Sequence, residues 1–248
     1  MGIIASRNLE EQRREHEGIV YFDRGNAAAQ DGSVYLRYAI QTHFVMRGED
    51  PTALVEQYVK PFYQTGDVLS FGAKVMAMCV ESVKTRDEVQ PGFFANLMWR
   101  FAASNSTGVG MHEPYKMQLV IDMVGLPRVL LAAFLSAITK PFGVKGVFYR
   151  VCGQGVGGID GFYDRSSFDI YKQMALINPE NPQDLCDDLF VKTGIPVVLM
   201  DANDIQRDQL AKSSDFPLSD QQIQDALKDN PSGQGDELTP FILIRKLN

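Results

Sequence analysis

The alternation of apolar and polar positions divides the chain into strand-like and helix-like stretches. Val34-Tyr-Leu-Arg-Tyr-Ala-Ile40 has the β-branched and aromatic make-up of a strand, and the pattern carries on through Thr42-His-Phe-Val45. Gly48-Glu-Asp-Pro51 then predicts a turn into a helix over 51–60, with proline in its first turn and acidic residues at the positive end of its dipole. Further strands are predicted over 68–71, over 195–200 and over 241–245, the second of them an unbroken apolar run and hence buried. Between 92 and 140 the apolar positions recur at helical spacing and predict helices over 93–103, 117–124 and 128–138. The last of these is apolar nearly all round, which predicts burial. A short amphipathic helix opened by Pro179-Glu-Asn-Pro182 and closed at Lys192-Thr-Gly194, and another over 219–228, complete the set. Asn8-Leu-Glu-Glu-Gln-Arg-Arg-Glu-His-Glu17 reads as a polar helix or loose arm. Residues 1–32 are therefore set apart as an N-terminal polar arm, and 33–248 as the folded part, of α+β class.

One stretch breaks this regularity. Val147-Phe-Tyr-Arg-Val-Cys152, bounded by Gly146 and Gly153, predicts a strand, and glycines 153, 155, 157, 158 and 161 follow it. So few side chains let backbone N–H groups approach an anion closely, and Asp160 would be an acidic ligand beside them. The alternative is a plain hairpin turn. Gly153-x-Gly155-x-x-Gly158 also satisfies the dinucleotide-binding pattern, but that fingerprint needs a helix to begin inside it, and Ile-Asp-Gly-Phe-Tyr-Asp has no helical period.

Composition narrows the chemistry. The 248 residues suit one large domain or two lobes sharing a core, and 45% of them are hydrophobic. A net charge of −7 offers no basic face to nucleic acid, so a phosphorylated substrate would need metal ions as intermediaries. Cys79, Cys152 and Cys186 lack metal-site spacing and fit a reducing compartment, so a cytoplasmic location is expected. No segment reaches the ~18 consecutive apolar residues of a membrane helix, and no membrane partner is expected.

Several residues are placed to carry chemistry. Lys74 follows the strand over 68–71 where a lysine can meet a phosphate, or else lies on the surface over an apolar element. Asp201 follows a buried strand, a position suited to a metal ligand, or it is a turn or capping residue. The polar, glycine-rich loop over 229–240 borders the last strand, so two such loops and the Asp201 turn could meet at one sheet edge. His43 is expected as a packed strand histidine or a site-lining residue, and His112 and Glu113 on a solvated loop.

Taken in order, these stretches resemble the coenzyme F420 γ-glutamyl ligases, in particular a divergent ligase-like branch. Gly66-Asp-Val-Leu with Lys74 is similar to the family's early strand and its lysine near GTP. Gly157-Gly-Ile-Asp160, or alternatively Asp164-Arg-Ser-Ser167, resembles the segment whose aspartate binds a divalent metal. Asn178-Pro-Glu-Asn-Pro182, Lys192-Thr-Gly194 and Val197-Val-Leu-Met-Asp201 resemble the run into a second metal-binding aspartate. Ser232-Gly-Gln-Gly-Asp-Glu-Leu-Thr-Pro-Phe-Ile-Leu-Ile-Arg245 resembles the closing loop and strand.

The resemblance runs from about Tyr38 to Arg245, and it rests on shared order and spacing. It implies the ligase fold of two interleaved lobes, a homodimer, and GTP-driven addition of L-glutamate to a phosphorylated deazaflavin acceptor. It further implies Mg²⁺ or Mn²⁺ held by Asp160 or Asp164, Asp201 and Gln234, with K⁺ as a further ion. GTP would be held by Lys74, by Gly153, Gly155, Gly157 and Gly158, and by Ser232, Gly233, Gly235 and Thr239. The chain departs from the family at Met78, where a second lysine is expected, at Glu81, one position late, and at Ala202, where a hydroxyl residue is usual. Those departures would also suit a non-catalytic nucleotide-binding protein, and glycine loops that were only turns would suit a structural homodimer.

Overall fold

A computed structural model describes residues 9–102, 111–153, 155–162, 169–202, 207–233 and 237–247. The chain divides into two units, one built from residues 1–81 and 179–248 and the other from residues 82–178. The second is thus inserted into the chain of the first. The class is α+β.

In chain order the elements are α1 (Leu9–Gln12), β1 (Arg13–His16), β2 (Ile19–Ala28), β3 (Val34–Ile40), α2 (Pro51–Tyr58), β4 (Val68–Gly72), α3 (Ala73–Cys79), β5 (Val83–Thr85), α4 (Phe93–Met98), α5 (Pro114–Val124), α6 (Leu126–Thr139), α7 (Val147–Cys152), β6 (Asp160–Gly161), β7 (Met174–Leu176), α8 (Pro182–Thr193), β8 (Val197–Ala202), β9 (Arg207–Lys212), α9 (Asp220–Ala226) and β10 (Phe241–Leu247).

The first unit is a seven-stranded sheet in the order β1-β2-β3-β10-β4-β8-β9. Every pair is antiparallel except β4 with β8, where Leu69 faces Val197 and Gly72 faces Met200. The central strands have a core on each side. Leu69, Phe71, Val197, Leu199, Phe241 and Leu243 pack with α2, α3 and α8 on one face. Val68, Val198, Met200, Ile242 and Ile244 pack with α9 on the other. Successive side chains of a strand point to opposite faces, so a strand covered on both sides must be apolar throughout. Val197-Val-Leu-Met200 and Phe241-Ile-Leu-Ile244 meet that demand.

The helix ends follow local chemistry. Asp50 accepts the Thr52 N–H ahead of Pro51 in α2, and Ser219 and Gln222 form a reciprocal capping box at α9. Gly194, left-handed at φ 71°, ends α8 as expected.

Residues 9–28 are not a loose polar arm. Residues 13–16 and 19–28 are strands of the sheet, and β2 pairs with β3 from Tyr21↔Ile40 to Ala28↔Val34 around a bulge. Buried Arg24 donates to the Pro231 carbonyl and the Gln12 side chain and pairs with Glu237. Buried Arg37 donates to the carbonyls of Gly25, Arg24 and Ala226 and pairs with Asp229. The supposed arm is thus fastened to the residues just before the last strand.

The inserted unit combines the small sheet β5-β7-β6 with α4 to α7. Residues 147–152 form helix α7, not the expected strand. The helix sits between left-handed Gly146 and Gly153 (φ 95°) and packs along α6 with Cys152 buried, so packing overrides the β preference of its residues. Helix α6 is not enclosed either. Val129 and Ala132 are buried, whereas Leu130, Leu131, Phe134 and Ile138 are exposed.

Candidate functional site

The geometry of the first sheet gathers several of the expected residues at one end. Parallel β4 and β8 finish together, with Gly72 level with Met200, so Lys74 and Asp201 emerge on the same side. Antiparallel β10 starts there, since Phe241 faces both Phe71 and Ile40, and the loop ahead of it therefore lies at the same end. The Gly72 N–H donates to the Pro240 carbonyl at 2.9 Å, joining that loop directly to the end of β4. A ligand site at the carboxyl ends of parallel strands is a recurrent arrangement, because strands fix the side chains and loops expose them.

Lys74 is exposed in the first turn of α3. Asp201 stands inside β8, not just beyond the strand as expected, because residues 207–212 return as β9 and pair with it. Its cross-strand partner is Asp208. The register thus sets two acidic residues across from each other at this end of the sheet. Among the described residues no group of three or more His, Cys, Asp or Glu is arranged to hold a metal. The expected ligands Asp164 and Gln234 lie outside the described residues, as does Gly235.

The closing loop is held from several sides. Gly233 has φ 74°, and a side chain there would meet the Glu237 carboxylate at 2.1 Å. The Thr239 hydroxyl donates to the Ser232 carbonyl at 2.5 Å, so it ties the loop's two arms together. Gln41 donates to the Glu237 carbonyl and the Thr42 N–H to that of Leu238. Arg24, described above, grips the same segment. Nothing in the sequence pointed to Arg24, since its role needs β2 to lie within the sheet.

His43 follows Thr42 at this end and is exposed, not packed in a strand. Its Nδ1 lies 2.7 Å from the Tyr58 hydroxyl and its Nε2 2.8 Å from Glu49. Burial works against the ionised form of Glu49, yet the Met46 N–H and His43 outweigh it and hold the carboxyl below its usual range. The buried thiols of Cys79 and Cys186 are pushed up to about 12, first by loss of solvent, so neither is an activated nucleophile.

The glycine loop belongs to the inserted unit. Gly153 and Gly155 have positive φ, and among the described residues between α7 and β6 no helix begins. A side chain at Gly158 would collide with the Asn178 side chain, and one at Gly161 with the Met174 carbonyl. Close packing thus accounts for these two glycines. Gly157 has open space around its Cα, and Asp160 sits in β6 opposite Leu176.

Glu113 is buried and caps α5 by accepting the Lys116 N–H, in place of the expected solvated loop position. His112 is exposed beside Trp99. A cleft of about 330 Å³ is lined by Arg86, Asp87, Gln90 and Tyr115. Its arginine is already engaged: it stacks on Tyr115, lies 3.6 Å from Glu113 and donates to the Lys172 carbonyl. The end of the large sheet is therefore the better-built candidate. No protein-family model matches this chain, and no curated protein matches it in sequence.

Proposed function

We propose that the chain is a nucleoside-triphosphate-dependent ligase of γ-glutamyl type, with its nucleotide and metal held at the end of the large sheet where β4 and β8 finish and β10 begins. The observation that carries this reading is the convergence there of Lys74, Asp201 with Asp208 as its cross-strand neighbour, and the fastened residues Ser232, Glu237, Leu238 and Thr239. The glycine loop and Asp160 belong to the other unit and are not drawn on. The ligase chemistry itself comes from the resemblance in the ordered motifs.

In the proposed reaction, an oxygen of the acceptor carboxylate attacks the γ-phosphorus of GTP and GDP departs. The amine nitrogen of L-glutamate then attacks the acyl carbon of the resulting acyl phosphate. Inorganic phosphate leaves, the nitrogen gives up its proton to solvent, and an amide remains. Positioning and charge neutralisation dominate such phosphoryl transfer. Lys74 supplies a positive charge for the phosphates, and Ser232, Gly233 and Thr239 orient the nucleotide. Asp201 would contribute to holding Mg²⁺ or Mn²⁺, which when bound neutralises phosphate charge. The described carboxylates alone do not complete its ligand set. Family-like cytoplasmic homodimers would be the working form.

A second reading has its own support. Met78, at the position of the family's second lysine, is fully buried in α3 and presents nothing to a ligand. A nucleotide-binding protein without ligase activity fits that feature.

Thermal unfolding with GTP and Mn²⁺ tests both. A ligand at 100 times its Kd adds ~2.7 kcal/mol of stability, and Asp201→Asn should abolish the gain. Absence of any gain in the native protein would sink both readings. Phosphate release that requires L-glutamate and a deazaflavin acceptor separates ligase from binder.

A further inference from the structure

The face of α6 left uncovered has the chemistry of a surface that meets lipid. Leu130, Leu131, Phe134 and Ile138 recur at helical spacing on it, and Phe142 and Val144, just past the helix end, are exposed as well. Phe134 is 62% exposed and Phe142 80%. Large contiguous apolar surface of this kind marks an interaction site. The helix is held from behind by buried Val129 and Ala132 in the inserted unit's own core, so the exposed side chains are presented on a fixed element.

The charges around the ridge identify the partner. From residue 123 to residue 159 the sequence contains Arg128, Lys140, Lys145 and Arg150 and no aspartate or glutamate. All four cations are exposed. The chain as a whole carries −7, so everything outside this segment sums to −11. An anionic bilayer would thus attract this segment, against the repulsion of the rest of the chain. Pairing the ridge with its own counterpart on a second copy would instead bring four cations against four. Among the described residues no single helix is long and apolar enough to cross a membrane. At 14 residues α6 spans ~21 Å, short of a ~30 Å hydrocarbon core. A helix with leucine and phenylalanine on one side and basic residues beside it lies along the interface.

We propose that α6 and the turn after it dock this protein onto the surface of an anionic phospholipid bilayer, with the Leu130–Val144 ridge inserted among the acyl chains and Arg128, Lys140, Lys145 and Arg150 at the headgroups. The proposal is independent of the ligase reading.

The test is co-sedimentation of the full chain with vesicles of phosphatidylcholine alone or mixed with phosphatidylglycerol. Binding is expected only to the mixed vesicles and should weaken steeply as salt rises. Each basic residue near such a surface is worth about a fivefold change in partitioning. Lys140→Glu combined with Lys145→Glu should therefore reduce binding by at least on the order of twentyfold. Phe134→Asp should abolish it while circular dichroism stays native. No binding to the mixed vesicles overturns the proposal, as does binding that neither variant alters. So does a dimer in gel filtration that Phe134→Asp splits without any vesicle binding, which would assign the ridge to a second copy.

Discussion

The two units solve the problem of burial differently. The unit formed by residues 1–81 and 179–248 covers both faces of its central strands, and its charge is −10, from 14 basic and 24 acidic residues. The inserted unit, with 10 basic and 7 acidic residues, carries +3 and leaves phenylalanines and leucines of α4 and α6 exposed. Both are apolar enough to fold, yet only the first uses nearly all its large apolar residues internally. Hydrophobicity along a sequence therefore measures what a segment can bury, not whether this chain alone buries it.

The sharpest way to break that contrast is to open a cavity in the covered sheet. Phe71, fully buried with its ring 4.6 Å from that of Phe241, should cost about 3–5 kcal/mol on replacement by alanine, read from urea unfolding. Arg24→Ala removes one partner of a mostly buried ion pair with Glu237 and should cost about 3 kcal/mol in the same measurement. Values near zero for either variant would mean the large sheet is far looser than its burial implies.

A milder comparison uses the cysteines. Cys79 and Cys186 lie in the covered unit, Cys152 in the inserted one, and burial raises all three. Raised thiols favour the folded state below the unfolded value near 9.0, and that contribution is lost as pH climbs toward the folded value of about 12 for the first two. Stability should fall with pH across that window, with a shallower slope in Cys79→Ala/Cys186→Ala. At neutral pH, a thiol reagent should label Cys152 no later than the other two if the inserted unit opens more readily. The smallest effect belongs to the exposed ridge, where Phe134→Ser should change unfolding stability by no more than about 0.5 kcal/mol.

Sequence patterns disclosed the covered unit well because its strands must be apolar on both faces. Residues 34–40, 68–71 and 241–245 declare themselves in that way. Strand β9 escaped because Arg207-Asp-Gln-Leu-Ala-Lys212 is an edge strand, and polar composition there discourages pairing with other chains. Ile19-Val-Tyr-Phe22 was masked by the charged run before it, and with it went the role of Arg24. Helix α7 escaped for the opposite reason, as six residues with strand-like side chains are too few to resist packing along α6. Of the candidate site, Lys74, Asp201 and the loop over 232–239 could be picked out by their places beside strands. Asp208 could not, because its position depends on a hairpin register that no local pattern encodes.

The position of β10 bears on how the protein is made. It is the central partner of both β3 and β4, yet residues 241–247 follow those strands only after the whole inserted unit. A ribosome releases residues 82–178 as one continuous stretch, so the inserted unit can begin to organise first. Strands β3 and β4 must meanwhile wait with unpaired edges until β10 emerges and slots between them. The nascent chain therefore passes through an aggregation-exposed interval that the finished molecule no longer shows.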